Sequence, residues 1–159
     1  MRHRPRAVRT LIFALTGALA AAGGATAAVG AMGSGPEDVS VTVTSLRNAR
    51  GSVVACLTAK PVSFPDCSKD AASRHLAIPA SAKAVQLDFG AVAPGTYAVS
   101  LFHDENGNGK LDTVMMIPRE GFGFSRDAKV RFGPPRFAAA AFTVEGEPVK
   151  QTVRMRYLF

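Results

Sequence analysis

The sequence predicts an all-β protein, a single immunoglobulin-like or prealbumin-like β-sandwich of about seven strands, behind an N-terminal signal peptide. Three observations carry this expectation. Apolar and polar residues alternate with period two in several separate stretches, the pattern of strands with one face on a core. Gly, Pro and Asn clusters punctuate those stretches at close intervals. Beyond the leader, no long segment carries the 3.6-residue apolar repeat of a helix.

Residues 1–31 have the layout of a signal peptide. Arg2, Arg4, Arg6 and Arg9 form a basic start, residues 10–22 an apolar stretch, and small residues follow. Ala25-Thr26-Ala27 and Val29-Gly30-Ala31 are A-x-A-type cleavage sites, which place the mature start between Ala28 and Gly33. No charge falls between Thr10 and Pro36, so an uncleaved anchor is the alternative. Gly and Ala dominate the second half of that stretch and weaken its apolar drive, which favours cleavage and leaves no membrane span afterwards. The protein is therefore expected to be exported, periplasmic or extracellular. Residues 32–38 read as a short linker and residues 39–159 as the β-sandwich domain.

The charge belongs partly to that leader. The chain of 159 residues carries +7, but without the four leader arginines 15 basic residues face 12 acids, a net +3. The basic strip Lys150, Arg154 and Arg156 has no aromatic interleaving, so nucleic acid is not an expected partner.

Within the domain, Val39, Val41 and Val43 define the first strand, Val53, Ala55 and Leu57 the second, and Val85, Leu87 and Phe89 the next. Tyr97, Val99, Leu101 and His103 form another, and Val149, Gln151, Val153, Met155 and Tyr157 the last. Tyr97, just after Pro94-Gly95, is placed either to bond backbone as a corner tyrosine does or simply to pack in the core. Residues 68–77 have room for one helical turn before Pro79. Residues 136–144 contain four alanines, which favour helix, but follow two prolines and end in Phe-Thr-Val; the segment is read as a strand. The connection across 113–136 is long for a compact domain, so it is expected to be functional or tightly packed.

Cys56 and Cys67 are the only cysteines and both follow the leader. In an oxidising compartment the pair reads as a structural disulfide. C-x-x-C is absent, and His75 and His103 lack zinc-site spacing, which counts against a redox pair or a metal site.

The chemistry concentrates in the loop Asp104-Glu-Asn106-Gly-Asn108-Gly-Lys110-Leu-Asp112, the front of an EF-hand-type calcium loop. Ca2+ takes six to eight hard oxygens, and alternate side chains converge only if the chain coils tightly. Asp104, Asn106 and Asn108 would fill the first three ligand positions, the Lys110 carbonyl the next, and Asp112 the last, directly or through water. The bidentate glutamate is replaced by Met115 and flanking helices are absent, so any calcium site is expected in the weak range of about 0.1–1 mM. Asn-Gly twice in four residues is equally the signature of a metal-free turn capped by Asn and Asp side chains. Both readings stay open.

No nucleophile elbow, zincin motif, P-loop or dinucleotide fingerprint occurs, so no catalytic residue is assigned. An enzyme alternative would combine His103, Asp104 and Glu120 beneath Phe122 and Phe124. Those rings are expected to cover the open end of the sandwich, because aromatics bury large areas.

The run Pro94-Gly-Thr-Tyr-Ala-Val-Ser-Leu-Phe-His-Asp-Glu-Asn-Gly-Asn-Gly-Lys-Leu-Asp112 continues in Ile117-Pro-Arg-Glu-Gly-Phe-Gly-Phe-Ser125, Phe132-Gly-Pro-Pro-Arg-Phe137 and Ala141-Phe142. With Leu46-Arg-Asn-Ala-Arg-Gly51 and Phe64-Pro65, this set resembles the small exported bacterial family called domain of unknown function 2141, across most of residues 39–158. The resemblance implies a compact exported β-sandwich and supplies no activity. The expected function is a non-catalytic binding or accessory module, with an envelope protein or a small ligand as partner. A subunit of a surface assembly is a further alternative, which exposed sheet edges would permit.

Overall fold

The computed structural model describes residues 35–159, so the expected signal peptide lies outside the described residues. The described chain is mostly β. Its strands are β1 (Glu37–Thr44), β2 (Ser52–Thr58), β3 (Arg74–Pro79), β4 (Ala84–Val92), β5 (Gly95–Asp104), β6 (Thr113–Val114), β7 (Ile117–Pro118), β8 (Gly121–Phe124), β9 (Phe142–Val144) and β10 (Val149–Arg154). One turn of helix, α1 (Phe137–Ala140), precedes β9. Glu37 and Asp38, expected in the linker, already pair with Val92 and Ala91.

One sheet has the order β10-β1-β4, with β1 parallel to β10 and antiparallel to β4. The other has the order β3-β2-β5-β8, and β9 also pairs with β5. The pairing on β5 is divided along its length: β9 takes Gly95–Tyr97 and β8 takes Ser100–His103. β6 and β7 form a hairpin of their own.

The alternation read from the sequence decides which face is buried. Val39, Val41 and Val43 of β1, Val85 and Leu87 of β4 and Val153 of β10 join Val53, Ala55 and Leu57 of β2 and Val99 and Leu101 of β5 in one hydrophobic cluster. Both sheets therefore contribute to a single core, and each buried Val or Leu contributes about 1.5–3 kcal/mol by leaving water. Arg74 on β3 donates to the Phe89 and Ala91 carbonyls of β4 at 2.6 Å, tying one sheet to the other.

A second apolar cluster covers the outer face of β5. Ala98 and Phe102, which alternate with the core residues Val99 and Leu101, meet Phe122, Phe124, Ala140, Phe64 and Phe137. This corrects the placement of the aromatic pair, which lies over a sheet face and not at the open end. The register explains it. Gly121 and Gly123 pair with His103 and Leu101, and a Cβ on either would collide with Tyr157, Met155 or Val153. The glycines therefore take the inner face and the phenylalanines the outer one.

Two local expectations need correction. Residues 136–144 are one helical turn, α1, followed by the three-residue strand β9, not a continuous strand. Alanine propensity decides the first half, and the buried Ser125 hydroxyl fixes the end of the turn by donating to the Ala140 carbonyl at 2.5 Å. Residues 68–77 hold two hydrogen-bonded turns, Asp70 N–H to Cys67 O and Ser73 N–H to Asp70 O, and then β3 rather than a helix. Pro79 is tolerated there as the last residue of an edge strand.

Cys56 and Cys67 form the expected disulfide, with Cα atoms 6.3 Å apart. The bridge ties the 61–67 segment, which carries Phe64, to β2. Beside it, the buried Asp70 carboxylate accepts from Thr58 Oγ1 at 2.8 Å and Lys60 Nζ at 2.6 Å. The Lys60 hydrogen bond, followed by that of Thr58, holds the Asp70 carboxyl below the usual carboxylate range.

Candidate functional site

β5 runs from the core to the rim and delivers His103 and Asp104 at its end, where the chain turns into the Asp/Asn loop. Gly107 and Gly109 adopt φ of +74° and +73°, left-handed values that cost glycine little. That backbone folds the loop over the Asp104 carboxylate. Asp104 Oδ1 accepts from the N–H of Gly107 at 2.9 Å and of Asn108 at 3.1 Å, and Oδ2 from the N–H of Gly109 at 2.8 Å. Charge-assisted bonds of this kind exceed neutral ones in strength.

The other expected ligands converge. Asn106 Nδ2 donates to Asp112 Oδ2 at 2.8 Å, and Asn108 Nδ2 donates to Asp112 Oδ1 at 2.9 Å. The Asn106 and Asn108 side-chain oxygens accept the N–H groups of Asn108 and Lys110. Lys110 thus enters through its backbone, and Asp104, Asn106, Asn108 and Asp112 are gathered in one coil. Among the described residues no three His, Cys, Asp or Glu side chains group as a metal site; two of the four converging side chains here are asparagines.

Glu120 is the residue that sequence spacing undervalued. Its carboxylate closes the loop at both ends, accepting Glu105 N–H on Oε1 and Asp112 N–H on Oε2, each at 3.0 Å. It is buried, as is Asp104.

His103 is 0% exposed. Its Nε2 lies 2.7 Å from the Arg50 carbonyl and its Nδ1 2.8 Å from the Tyr157 hydroxyl. A carbonyl only accepts, so Nε2 carries a proton and donates it to the Arg50 carbonyl, while Nδ1 and the Tyr157 hydroxyl share the second hydrogen bond. The Tyr157 oxygen in turn accepts the Arg47 N–H at 3.1 Å, and burial raises the pKa of that phenol. Arg47 completes the cluster: Nε donates to Glu105 Oε1 at 2.6 Å, and the guanidinium lies 4.6 Å above the Tyr157 ring. Burial is the strongest single influence and works to raise Glu105, but the Arg47 hydrogen bond and charge, with further help from Asn48 and His103, together hold its pKa below the ordinary glutamate range. Arg47, Glu120 and Tyr157 come from segments far from the His103–Glu105 stretch, and no local spacing announces their meeting.

A surface depression of about 240 Å³ opens here, lined by Arg47, Arg50 and Arg119 against Glu105, Asp112 and Glu120. A larger groove of about 520 Å³ lies over the outer aromatic cluster, between Pro61, Phe64 and Pro65 and the Pro134–Phe137 segment.

Residues 41–152 match the family described as "Uncharacterized protein conserved in bacteria (DUF2141)". The chain belongs to this family. The matched span of the DUF2141 domain runs from the middle of β1 into β10 and includes β2 to β9, the Asp/Asn loop and both cysteines. No curated protein and no solved structure matches the chain.

Proposed function

We propose that this DUF2141 protein is an exported, non-catalytic binding or accessory module whose rim loop takes a weakly held calcium ion. The carrying observation is the state of the three residues an enzyme would need. Both ring nitrogens of His103 are hydrogen-bonded inside the fold. Asp104 accepts three backbone N–H groups and Glu120 two. A general base must reach a substrate proton, whereas Asp104 and Glu120 are occupied in holding the loop and His103 in bonding Arg50 and Tyr157. The polar depression is lined by Glu120 but not by His103.

Export is supported by the leader pattern and by the Cys56–Cys67 bridge, since disulfides persist in oxidising compartments. The immunoglobulin-like arrangement is supported by the shared core of the two sheets and by Tyr97, whose hydroxyl donates to the Ala93 carbonyl at 3.0 Å as a corner tyrosine does. The ion is supported by the convergence on Asp112. A cation there would replace two N–H donors as the partner of that carboxylate, and the two asparagine amides would turn their oxygens inward.

Isothermal titration of the full chain with Ca2+ tests the ion. Heat with a dissociation constant in the range of about 0.1–1 mM is expected, lost in Asp112→Ala, which leaves the Asp104 amide bonds intact. No heat and no thermal shift at about 10 mM Ca2+, well above that range, would remove the ion from the proposal. Fractionation with N-terminal sequencing tests export: a start between Ala28 and Gly33 in the envelope fraction is expected, and an unprocessed cytosolic chain overturns it.

A further inference from the structure

The β6–β7 hairpin is the part of the rim that the preceding reading leaves unused. It pairs only with itself and with neither main sheet. Its tip is apolar and turned to water: Met115 is 88% and Met116 92% exposed, flanked by Val114 and Ile117, both more than two-fifths exposed. Met115 and Met116 have φ of +50° and +66°, the left-handed pair that a two-residue hairpin turn requires and that Asn-Gly adopts at least cost. Two methionines therefore hold a turn their chemistry disfavours, and no packing within the domain compensates. Violations of local preference of this kind concentrate at functional sites.

Two exposed cations flank the tip. Lys110 precedes the hairpin and Arg119 follows it, and the Arg119 N–H donates to the Asp112 carbonyl at 2.9 Å to close its base. Both are exposed, and among the described residues neither makes an ion pair. Of the carboxylates of the same rim, Asp104 and Glu120 are buried on backbone amides, Glu105 pairs with Arg47, and the half-buried Asp112 accepts from the Asn106 and Asn108 amides. The surface thus presents an apolar point flanked by two exposed cations, Lys110 and Arg119, unpaired among the described residues.

We propose that this tip docks peripherally on an anionic phospholipid bilayer, with Met115 and Met116 entering the headgroup–acyl boundary and Lys110 and Arg119 meeting lipid phosphates. A protein partner fits less well. A stable protein interface buries roughly 800 Å² on each side, whereas the tip is a four-residue projection. A bilayer needs no matching shape and rewards apolar depth combined with basic charge. The proposal rests on no ion in the neighbouring loop.

The chain contains no tryptophan, so Met116→Trp introduces a single reporter at the tip, with Met115→Trp as a second should the first not fold. In the full chain with chelator present, we expect its emission to shift to the blue and to be quenched by brominated acyl chains. The vesicles contain phosphatidylcholine with phosphatidylglycerol, and phosphatidylcholine alone should produce a weaker effect. Lys110→Gln and Arg119→Gln should each weaken vesicle partitioning by about fivefold. The leader is common to every variant, so the contrast between the tip reporters and a reporter elsewhere on the surface reads the tip. Emission that stays water-like overturns the proposal. So does equal quenching of a Phe132→Trp reporter placed elsewhere on the surface, or a shift produced by delipidated envelope protein and not by vesicles. Because chelator is present throughout, failure of the calcium site leaves this result unaffected.

Discussion

The Asp/Asn loop of residues 104–112 and the β6–β7 hairpin that follows are neighbours in sequence with opposite construction. In the loop, side-chain oxygens and amides find partners within the coil, and a buried carboxylate lies at its centre. In the hairpin, the largest side chains face water and two of them hold left-handed backbone. The loop is stabilised by what it touches. The hairpin is held only by its two-residue ladder and the base contact at Asp112. A polar sequence can therefore make a rigid element and an apolar one an exposed element, depending on where hydrogen bonds close.

The largest expected effect tests the rigid half. Asp104→Ala leaves the Gly107 and Gly109 N–H groups without their acceptor and the Asn108 N–H with Asn106 alone, and we expect a loss on the order of 2 kcal/mol by denaturant unfolding. A loss within experimental error would show that the loop is held from elsewhere. Acid should come next. Glu105 has its pKa below the ordinary glutamate value, so its contribution is fully present above about pH 4.3. That contribution is lost as pH falls through the lower folded value. Arg47→Met removes a hydrogen bond and a charge that oppose burial, so the folded pKa of Glu105 rises and the part of the acid limb below about pH 4.3 that belongs to Glu105 should flatten in a thermal-midpoint scan. An unchanged limb would separate Glu105 from Arg47. The smallest effect is a gain in the other half: Met115→Asn with Met116→Gly supplies residues suited to the turn and should stabilise by about 1 kcal/mol. A loss of stability instead would mean that the methionines pack.

The outer face of β5 shows why part of this was hidden in the sequence. Gly-Phe-Gly-Phe at 121–124 has strand period, but it reverses the usual sense, with glycine inward and phenylalanine outward. The inversion is imposed by Tyr157, Met155 and Val153, which already fill the inner side. Nothing within four residues reports that. β3 is hidden in the sequence for a milder reason: Leu76 and Ile78 alternate, but Ala77, Ala80 and the terminal Pro79 blunt the signal. The candidate site was legible in its ligand-type residues, Asp104, Asn106, Asn108 and Asp112. Glu120 and Arg47, which brace it, stand far along the chain.

By itself the sequence determined the alternation of Val39 to Val43, Val85 to Phe89 and Val99 to Leu101, and with it an all-β chain around one apolar interior. It also set the coil at 104–112, because side-chain period and left-handed glycines are local properties. Tertiary structure decided which partners complete that coil, why His103 is enclosed, and that Met115 ends in water rather than on an ion. Those outcomes depend on segments that meet only after the two sheets have joined, and contact between distant residues leaves no periodic trace.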